Sequence, residues 1–339
     1  MGTDALEGSM SKAILITGGT GFLGTEIISN LLLQTKEKIY VLVRANDAEA
    51  AFHKMKAAWY HMPSLCSQIG EKIVPVIGDF TKKGLGLSPI DRNLLRDEVS
   101  LVIHAGAQIG FQTGEQELMS VNYAGTGHMV AFAKKLPGLH RFVHISTAYV
   151  AGQKSGLIME QESPGSRFSS LYEKSKARAE ALVVRSGLPF VICRPGMIVG
   201  DAKTGRVKSF NTIYYVLKQL LLGKMPVIPL SSEMRLNLVP VDYVAQSVVE
   251  ITFSDSAKNK IFHLTCPHKL QPRVGELVSY VRKWTVHYLS ESIPKPVYLP
   301  MDFLKYAGLL FNQKSETKKK SQLTNFLMLL KRTRRRKHR

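Results

Sequence analysis

Along the chain, short apolar runs alternate with stretches whose apolar residues recur every three or four positions. Runs at 13–17, 39–43, 73–77, 100–104, 141–146 and 189–194 are rich in β-branched residues and read as buried strands. Helical spacing fills the intervals between them, notably at 22–34, 47–60, 115–135 and 171–186. Strand–helix alternation of this kind predicts an α/β protein, a doubly wound parallel sheet of Rossmann type with right-handed crossovers. Beyond Gly200 the order loosens, to a helix near 210–223, a strand near 235–239, a helix at 241–252 and a strand at 260–264. Pro294, Pro296 and Pro300 then punctuate a segment that reads as a lid or smaller C-terminal lobe. The expected organisation is a main sheet unit at 10–200 to which 235–265 returns, a smaller lobe mainly within 201–313, and a tail at 314–339. Residues 1–9 lack an apolar signal core and read as an artificial leader ahead of a natural start at Met10.

The first strand breaks directly into Gly18, Gly21 and Gly24, after which Phe22, Leu23, Ile27, Ile28, Leu31 and Leu32 open a helix. Strand, glycine turn and helix form the context that a dinucleotide site requires. The first glycine permits the tight turn, the second admits the pyrophosphate, and the third lets helix pack on strand. The helix N-terminus then offers free N–H groups and a positive dipole end to phosphate. Thr20, Phe22 and Leu23 belong to the same turn. Where the second strand ends, an NAD-preferring protein carries an acid for the ribose hydroxyls, but this chain has Arg44. A guanidinium there suits a 2′-phosphate, with Lys54 on the following helix as a second cation, so the expected cofactor is NADPH.

A second constellation lies at Tyr172-Glu-Lys-Ser-Lys176. Residues four apart share a helix face, and an ammonium beside a phenol favours phenolate, making Tyr172 a usable general acid or base. Lys176 is also placed to hydrogen-bond the nicotinamide ribose. Upstream, Ser146-Thr147 ends the fifth strand, and Thr147 is preferred over Ser146 as the hydroxyl that polarises a substrate carbonyl beside Tyr172.

On these segments the chain resembles the extended short-chain dehydrogenase/reductase superfamily, and within it the thioester reductase-like group of carrier-protein terminal reductases and fatty acyl-CoA reductases. The resemblance covers about 12–265 and includes Thr17 to Gly24, Val41 to Ala45, Ile73 to Asp79, Gly84 to Leu87, Val121-Asn122, Ser146-Thr147, Tyr172 to Lys176, Val239 to Tyr243 and Phe262-His-Leu264. Its most specific part is Arg194-Pro-Gly followed by Gly200-Asp201 and Thr204-Gly205. The resemblance implies that Asp79 contacts adenine, that the adjoining Phe80 is at the cofactor, and that His104, Ala105 and Gly106 close the fourth strand beside it. It places Asn122 at the family's structural asparagine, and Pro195 and Gly196 at the cofactor. His104 and His263 read as packed or cofactor-edge residues rather than bases, and no metal site is expected. The implied reaction is NADPH-dependent reduction of an acyl thioester, on CoA or a phosphopantetheine-bearing acyl carrier protein, to aldehyde, with a second reduction to alcohol left open. Reduction of a free ketone or alcohol, nucleotide-sugar epimerase or dehydratase chemistry, and a non-catalytic NADPH-sensing scaffold are the alternatives.

Charge and cysteine content change this picture little. The net charge is +20, and 314–339 holds eleven Lys/Arg against one acid, leaving a body near +10 that favours acidic ligands or partners. Phe326 to Leu330 beside the polybasic end is compatible with membrane-surface contact, with a solvated tail or, least, with nucleic acid. No apolar run has membrane-spanning length, so a cytoplasmic protein is expected, with peripheral membrane contact left open. Cys66, Cys193 and Cys266 have no metal spacing and fit a reducing compartment, and covalent catalysis by a thiolate is not expected.

Overall fold

A computed structural model describes residues 13–109, 113–154, 156–162, 165, 167–208, 210 and 212–299. The leader at 1–9, Met10 and the basic tail at 314–339, with its expected membrane contact, lie outside the described residues. The strands are β1 (Ala13–Thr17), β2 (Lys38–Val43), β3 (Ile73–Ile77), β4 (Leu101–His104), β5 (Arg141–Ile145), β6 (Phe190–Pro195), β7 (Met197–Val199), β8 (Val227–Ile228), β9 (Leu238–Pro240), β10 (Lys260–Leu264) and β11 (Val297–Tyr298). The helices are α1 (Phe22–Gln34), α2 (Ala48–Ala58), α3 (Pro63–Cys66), α4 (Pro89–Glu98), α5 (Glu115–Leu118), α6 (Gly125–Ala133), α7 (Leu171–Val184), α8 (Thr212–Leu221), α9 (Val241–Phe253) and α10 (Val274–Leu289).

Seven strands form one parallel sheet in the order β10-β6-β5-β4-β1-β2-β3. Its strands read as continuous apolar runs because helices cover both faces. Side chains nevertheless divide by parity: Ile14 and Ile16 join one core, with Ile39, Val41, Val143 and Val191. Ala13 and Leu15 join the other, with Tyr40, Leu42, Phe142 and Ile192. Ile27, Ile28 and Leu31 of α1 and Val244, Val248 and Val249 of α9 cover the first face. Leu95 of α4, Met129 and Phe132 of α6 and Val183 of α7 cover the second. The strand order reverses between β1 and β4, and ligands of such sheets bind outside the carboxyl ends at that reversal.

A third cluster unites Ile213 and Leu220 of α8, Ile228 of β8, Val274, Val278 and Val281 of α10, and Met234, Leu236 and Ile293 from the connections. Two small parallel pairs, β7 with β9 and β8 with β11, brace it. The chain then returns to the sheet: α9 packs on α1 and β10 hydrogen-bonds to β6.

One local expectation is corrected and one element is added. The helix expected over 115–135 is interrupted by a π-helical turn at Met119–Ala124, which separates α5 from α6. The wider turn aims the Asn122 carboxamide inward, where it accepts from Gln108 N (2.8 Å) and donates to Gln108 O (3.0 Å) and Ser175 Oγ (2.9 Å). The segment before Pro294, for which no element is expected from the sequence, contains the 16-residue helix α10. Its buried Val274, Val278, Val281 and Thr285 recur at helical spacing against the third cluster.

Candidate active site

The cavity opens where β1 and β4 end side by side. Gly18 has φ +73°, and a Cβ there would fall 2.7 Å from Ala105 C and Gly106 N, so only glycine lets the two strand ends touch. The Thr17 hydroxyl ties them further, accepting from Gly106 N at 3.1 Å and sharing a 2.7 Å hydrogen bond with His104 Nδ1. Gly21 N donates to Gly18 O at 2.8 Å, and a Cβ on Gly24 would overlap the Gly18 carbonyl. Helix α1 begins at Gly21 with no side-chain cap, so its first N–H groups remain available to an anion. Thr25 Oγ1 (2.6 Å to Gly21 O) and Trp59 Nε1 (3.1 Å to Gly19 O) hold the turn from behind.

Gly18, Thr20, Gly21, Phe22, Leu23 and Gly24 line a cavity of about 590 Å³. Arg44, Lys54, Phe80, Ala105, Gly106, Pro195 and Gly196 continue its wall. Arg44 is exposed just past β2, and Lys54 Nζ donates to its carbonyl oxygen at 2.9 Å, so Lys54 also fixes the backbone that presents the guanidinium. Phe80 is wedged against Gly106 and Gly125, where a Cβ on either glycine would fall 2.7 Å from its ring. The uncapped helix, the cradle that any Cβ would fill and the paired cations fit an anionic dinucleotide.

Thr147, Tyr172 and Lys176 meet on the same wall. Helix α7 starts where Ser170 accepts from Glu173 N at 3.2 Å and Glu173 accepts from Ser169 N at 2.8 Å, a start that resembles a capping box. This start sets the register that turns Tyr172 and Lys176 to the cavity. Thr147 accepts from Tyr149 N at 3.3 Å, which leaves its proton to donate. Ser146 lines the cavity too, but its hydroxyl donates to Glu180 Oε2 at 2.7 Å. Glu180 is also bonded to Arg194, through Nε at 3.1 Å and through a second, shorter contact from Nη2. Arg194 further reaches His263 Nε2 (3.2 Å) and Gln161 O (3.2 Å).

Lys176 is buried, donates to Ile145 O at 2.6 Å and lies 3.4 Å from His144 Nε2. Burial pushes its pKa down to about 8, against an opposing pull from Glu180. His144 is pushed well below its ordinary value by burial, Lys176 and His104. His104 is pushed down to about 3, first by burial and then by Lys176. Both imidazoles are therefore neutral at physiological pH. Burial raises the Cys193 thiol to about 12, far from thiolate chemistry.

Three expected cofactor residues do not line the cavity. Asp79 accepts from Thr81 N (2.9 Å) and Thr81 Oγ1 (2.7 Å), closing the turn after β3. His104 is enclosed between Thr17 and Thr126, and Asn122 between Gln108 and Ser175, so each braces the wall from behind. Conversely, Gln108, Ile109, Glu117, Val121, Tyr149, Met197 and Ile198 line it without having been anticipated. Val121 lies within a segment of the family resemblance, and the others are marked in the sequence by position, just past a strand end or near a residue already identified. Lys208 was also unanticipated: from the loop beyond Gly205 it donates to Thr20 O (2.6 Å) and Thr25 Oγ1 (3.2 Å), tying the lobe side of the chain to the glycine turn.

Fold and cavity together define a nicotinamide-dinucleotide-binding oxidoreductase of the extended short-chain type. Residues 16–248 match the NAD-binding family described as Male sterility protein. The chain belongs to that family, in the thioester reductase-like group. Over 269 residues it is 32% identical to a linear gramicidin synthase polypeptide of Brevibacillus parabrevis, covering 77% of this chain and 5% of the relative. Over 163 residues it is 34% identical to the chloroplastic fatty acyl-CoA reductase 2 of Arabidopsis thaliana, covering 44% of this chain and 26% of the relative. Among solved structures, the terminal R domain of the myxalamid PKS-NRPS pathway matches with TM-score 0.76 at 27% identity, covering 96% of this chain and 79% of that one. The chain thus spans a small fraction of these two curated relatives' length.

Proposed function

We propose that this protein reduces an acyl thioester, on CoA or on a carrier protein, with NADPH, releasing an aldehyde that a second round can take to the alcohol. The observation that carries this reading is the convergence of Thr147, Tyr172 and Lys176 on the cavity that begins at the glycine turn. In this reading the cofactor is held by the turn Gly18 to Gly24, with Arg44 and Lys54 toward the 2′-phosphate, Phe80, Ala105 and Gly106 along the crevice, and Pro195 and Gly196 near the reacting end. Bound NADPH supplies the hydride. The Tyr172 and Thr147 hydroxyls donate hydrogen bonds to the thioester oxygen and stabilise the negative charge that develops there. Lys176, as a cation, favours the phenolate that Tyr172 becomes on giving up its proton and holds the ribose in register. Collapse of the hemithioacetal releases the thiol and the aldehyde. The sheet with its returning β9–α9–β10 segment serves the cofactor, and the α8–α10 lobe the acyl chain.

The likeness to synthetase and acyl-CoA reductase segments supports a thioester over a free ketone. Incubation of the protein with NADPH and a panel of acyl-CoA and acyl-carrier thioesters is expected to consume nicotinamide absorbance and yield aldehyde or alcohol. Tight NADPH binding with no turnover on any thioester would overturn the reading, and NAD that remains bound through purification would favour epimerase chemistry. None of the described helices is long and apolar enough to cross a membrane.

A further inference from the structure

Helix α7 sorts its charges by face. Glu173 and Glu180, seven residues apart, are both buried, and their carboxylates point inward to Ser169 N and to Arg194 and Ser146. Arg178 and Arg185, also seven apart, are exposed on the other side. With Lys134, just past α6, they line an open groove of about 460 Å³ whose floor includes Tyr123 and Leu182. No carboxylate lines this groove, and among the described residues none of the three cations has an ion-pair partner. The nearby Glu115 is ion-paired to Lys174 at 2.8 Å and feels Arg178 only as its weakest electrostatic neighbour, without an ion pair.

The groove is the back of the active-site wall. Val121 faces the cavity and Tyr123, two residues on, faces the groove; Lys176 faces the cavity and Arg178, two residues on, faces the groove. One helix layer, about 10 Å thick, separates the two.

We propose that this groove docks an acidic protein that presents the acyl thioester on a flexible prosthetic arm. The inference rests on the thioester reading above and names where that substrate's carrier sits. Charge complementarity selects the occupant. A second copy of this chain joined by a two-fold axis would bring Lys134, Arg178 and Arg185 against the same three cations, an arrangement that repels. An acidic helix surface meets three unpaired cations, a half-exposed tyrosine and an apolar floor, the composition of a docking patch with an electrostatic rim.

The test compares wild type with the R178E/R185E double variant, whose two side chains are exposed, and with Y123A as a milder second variant. Substrates are one acyl group carried on an acidic carrier protein and the same acyl group on free pantetheine. R178E/R185E is expected to raise KM for the carrier-bound thioester by about tenfold or more and to leave kcat and the pantetheine substrate unchanged. Wild-type KM for the carrier substrate is expected to rise with salt, and the variant's to lose that dependence. An unchanged carrier KM in the variant would overturn the proposal, as would equal losses on both substrates, which would mark an anion site for the arm itself. Anisotropy of the labelled, unloaded carrier reads docking without turnover. If wild type binds it and the variant does not, docking stands even where no thioester is reduced; equal or no binding by both overturns it. A wild-type dimer that R178E/R185E dissociates also overturns it.

Discussion

The glycine-turn end of the cavity and the α8–α10 lobe are built under different constraints. At the turn, identity is dictated by contact between main chains: a Cβ on Gly18 meets Ala105 and Gly106, and one on Gly24 overlaps the Gly18 carbonyl. In the lobe, Ile213, Leu220, Val274, Val278 and Val281 need only be apolar and of suitable volume. Sites that must accept a constant ligand portion need backbone at fixed distances, which few residue types allow. In the proposed function the lobe chooses among acyl chains, a task that needs shape alone, which many sequences supply. Between them stands Lys208, the side chain that reaches from the lobe side onto the turn.

The largest expected effect lies at the chemistry common to both regions. In the proposed mechanism Tyr172→Phe removes the proton donor, and it is expected to lower thioester turnover by about 10²–10⁴-fold. Nicotinamide fluorescence titration should show NADPH affinity retained, since the substitution leaves the glycine turn intact; parallel loss of binding would reassign Tyr172 to cofactor positioning.

Contrasting the two regions directly gives the next effect. Gly24→Ala forces main chains apart and is expected to cost about 3 kcal/mol of stability together with NADPH binding, whereas Val278→Ile in the lobe is expected to cost less than about 1.5 kcal/mol. Urea unfolding of both variants checks this, and equal costs would erase the distinction between the regions.

The smallest effect is a slope with pH. Burial pushes Lys176 from its ordinary value of 10.5 to about 8, so between those pH values the unfolded chain binds more protons than the folded one. Stability relative to Lys176→Met is therefore expected to rise as pH increases from about 8 to 10.5 and to be flat below 8, because under pH 8 both states are protonated and the burial cost is fully present. A flat difference across the whole range in urea unfolding would show that Lys176 is hydrated in solution.

Strand and helix positions were legible in this chain because sheet burial on both faces imposes continuous apolar runs, and helix burial imposes three- and four-residue spacing. The β1–α1 turn was legible for the steric reason above. Helix α10 has equally clear spacing at Val274, Val278 and Val281, yet the prolines that follow it draw the reading to a lid or lobe rather than to an element. The π turn at Met119–Ala124 leaves no mark in apolar periodicity, since it differs from an α-turn by one residue. His104 and Asn122 are chemically apt for a ligand, but each is buried among partners in its own neighbourhood, and only three-dimensional packing tells a satisfied polar group from an available one. Lys208 lies 188 residues from Thr20, and no local pattern could have joined them.

The buried Glu180–Arg194 pair bears on how this sequence can change over time. Either residue alone would leave a buried charge without its counter-ion, at a cost of about 3–5 kcal/mol, comparable to the whole margin of a modest fold. Replacing both together with apolar residues of similar volume removes the charges along with their desolvation cost and leaves the Ser146 hydroxyl to find another acceptor. Drift at these two positions is therefore expected to come in paired steps, so that in any set of descendants the two vary together or not at all.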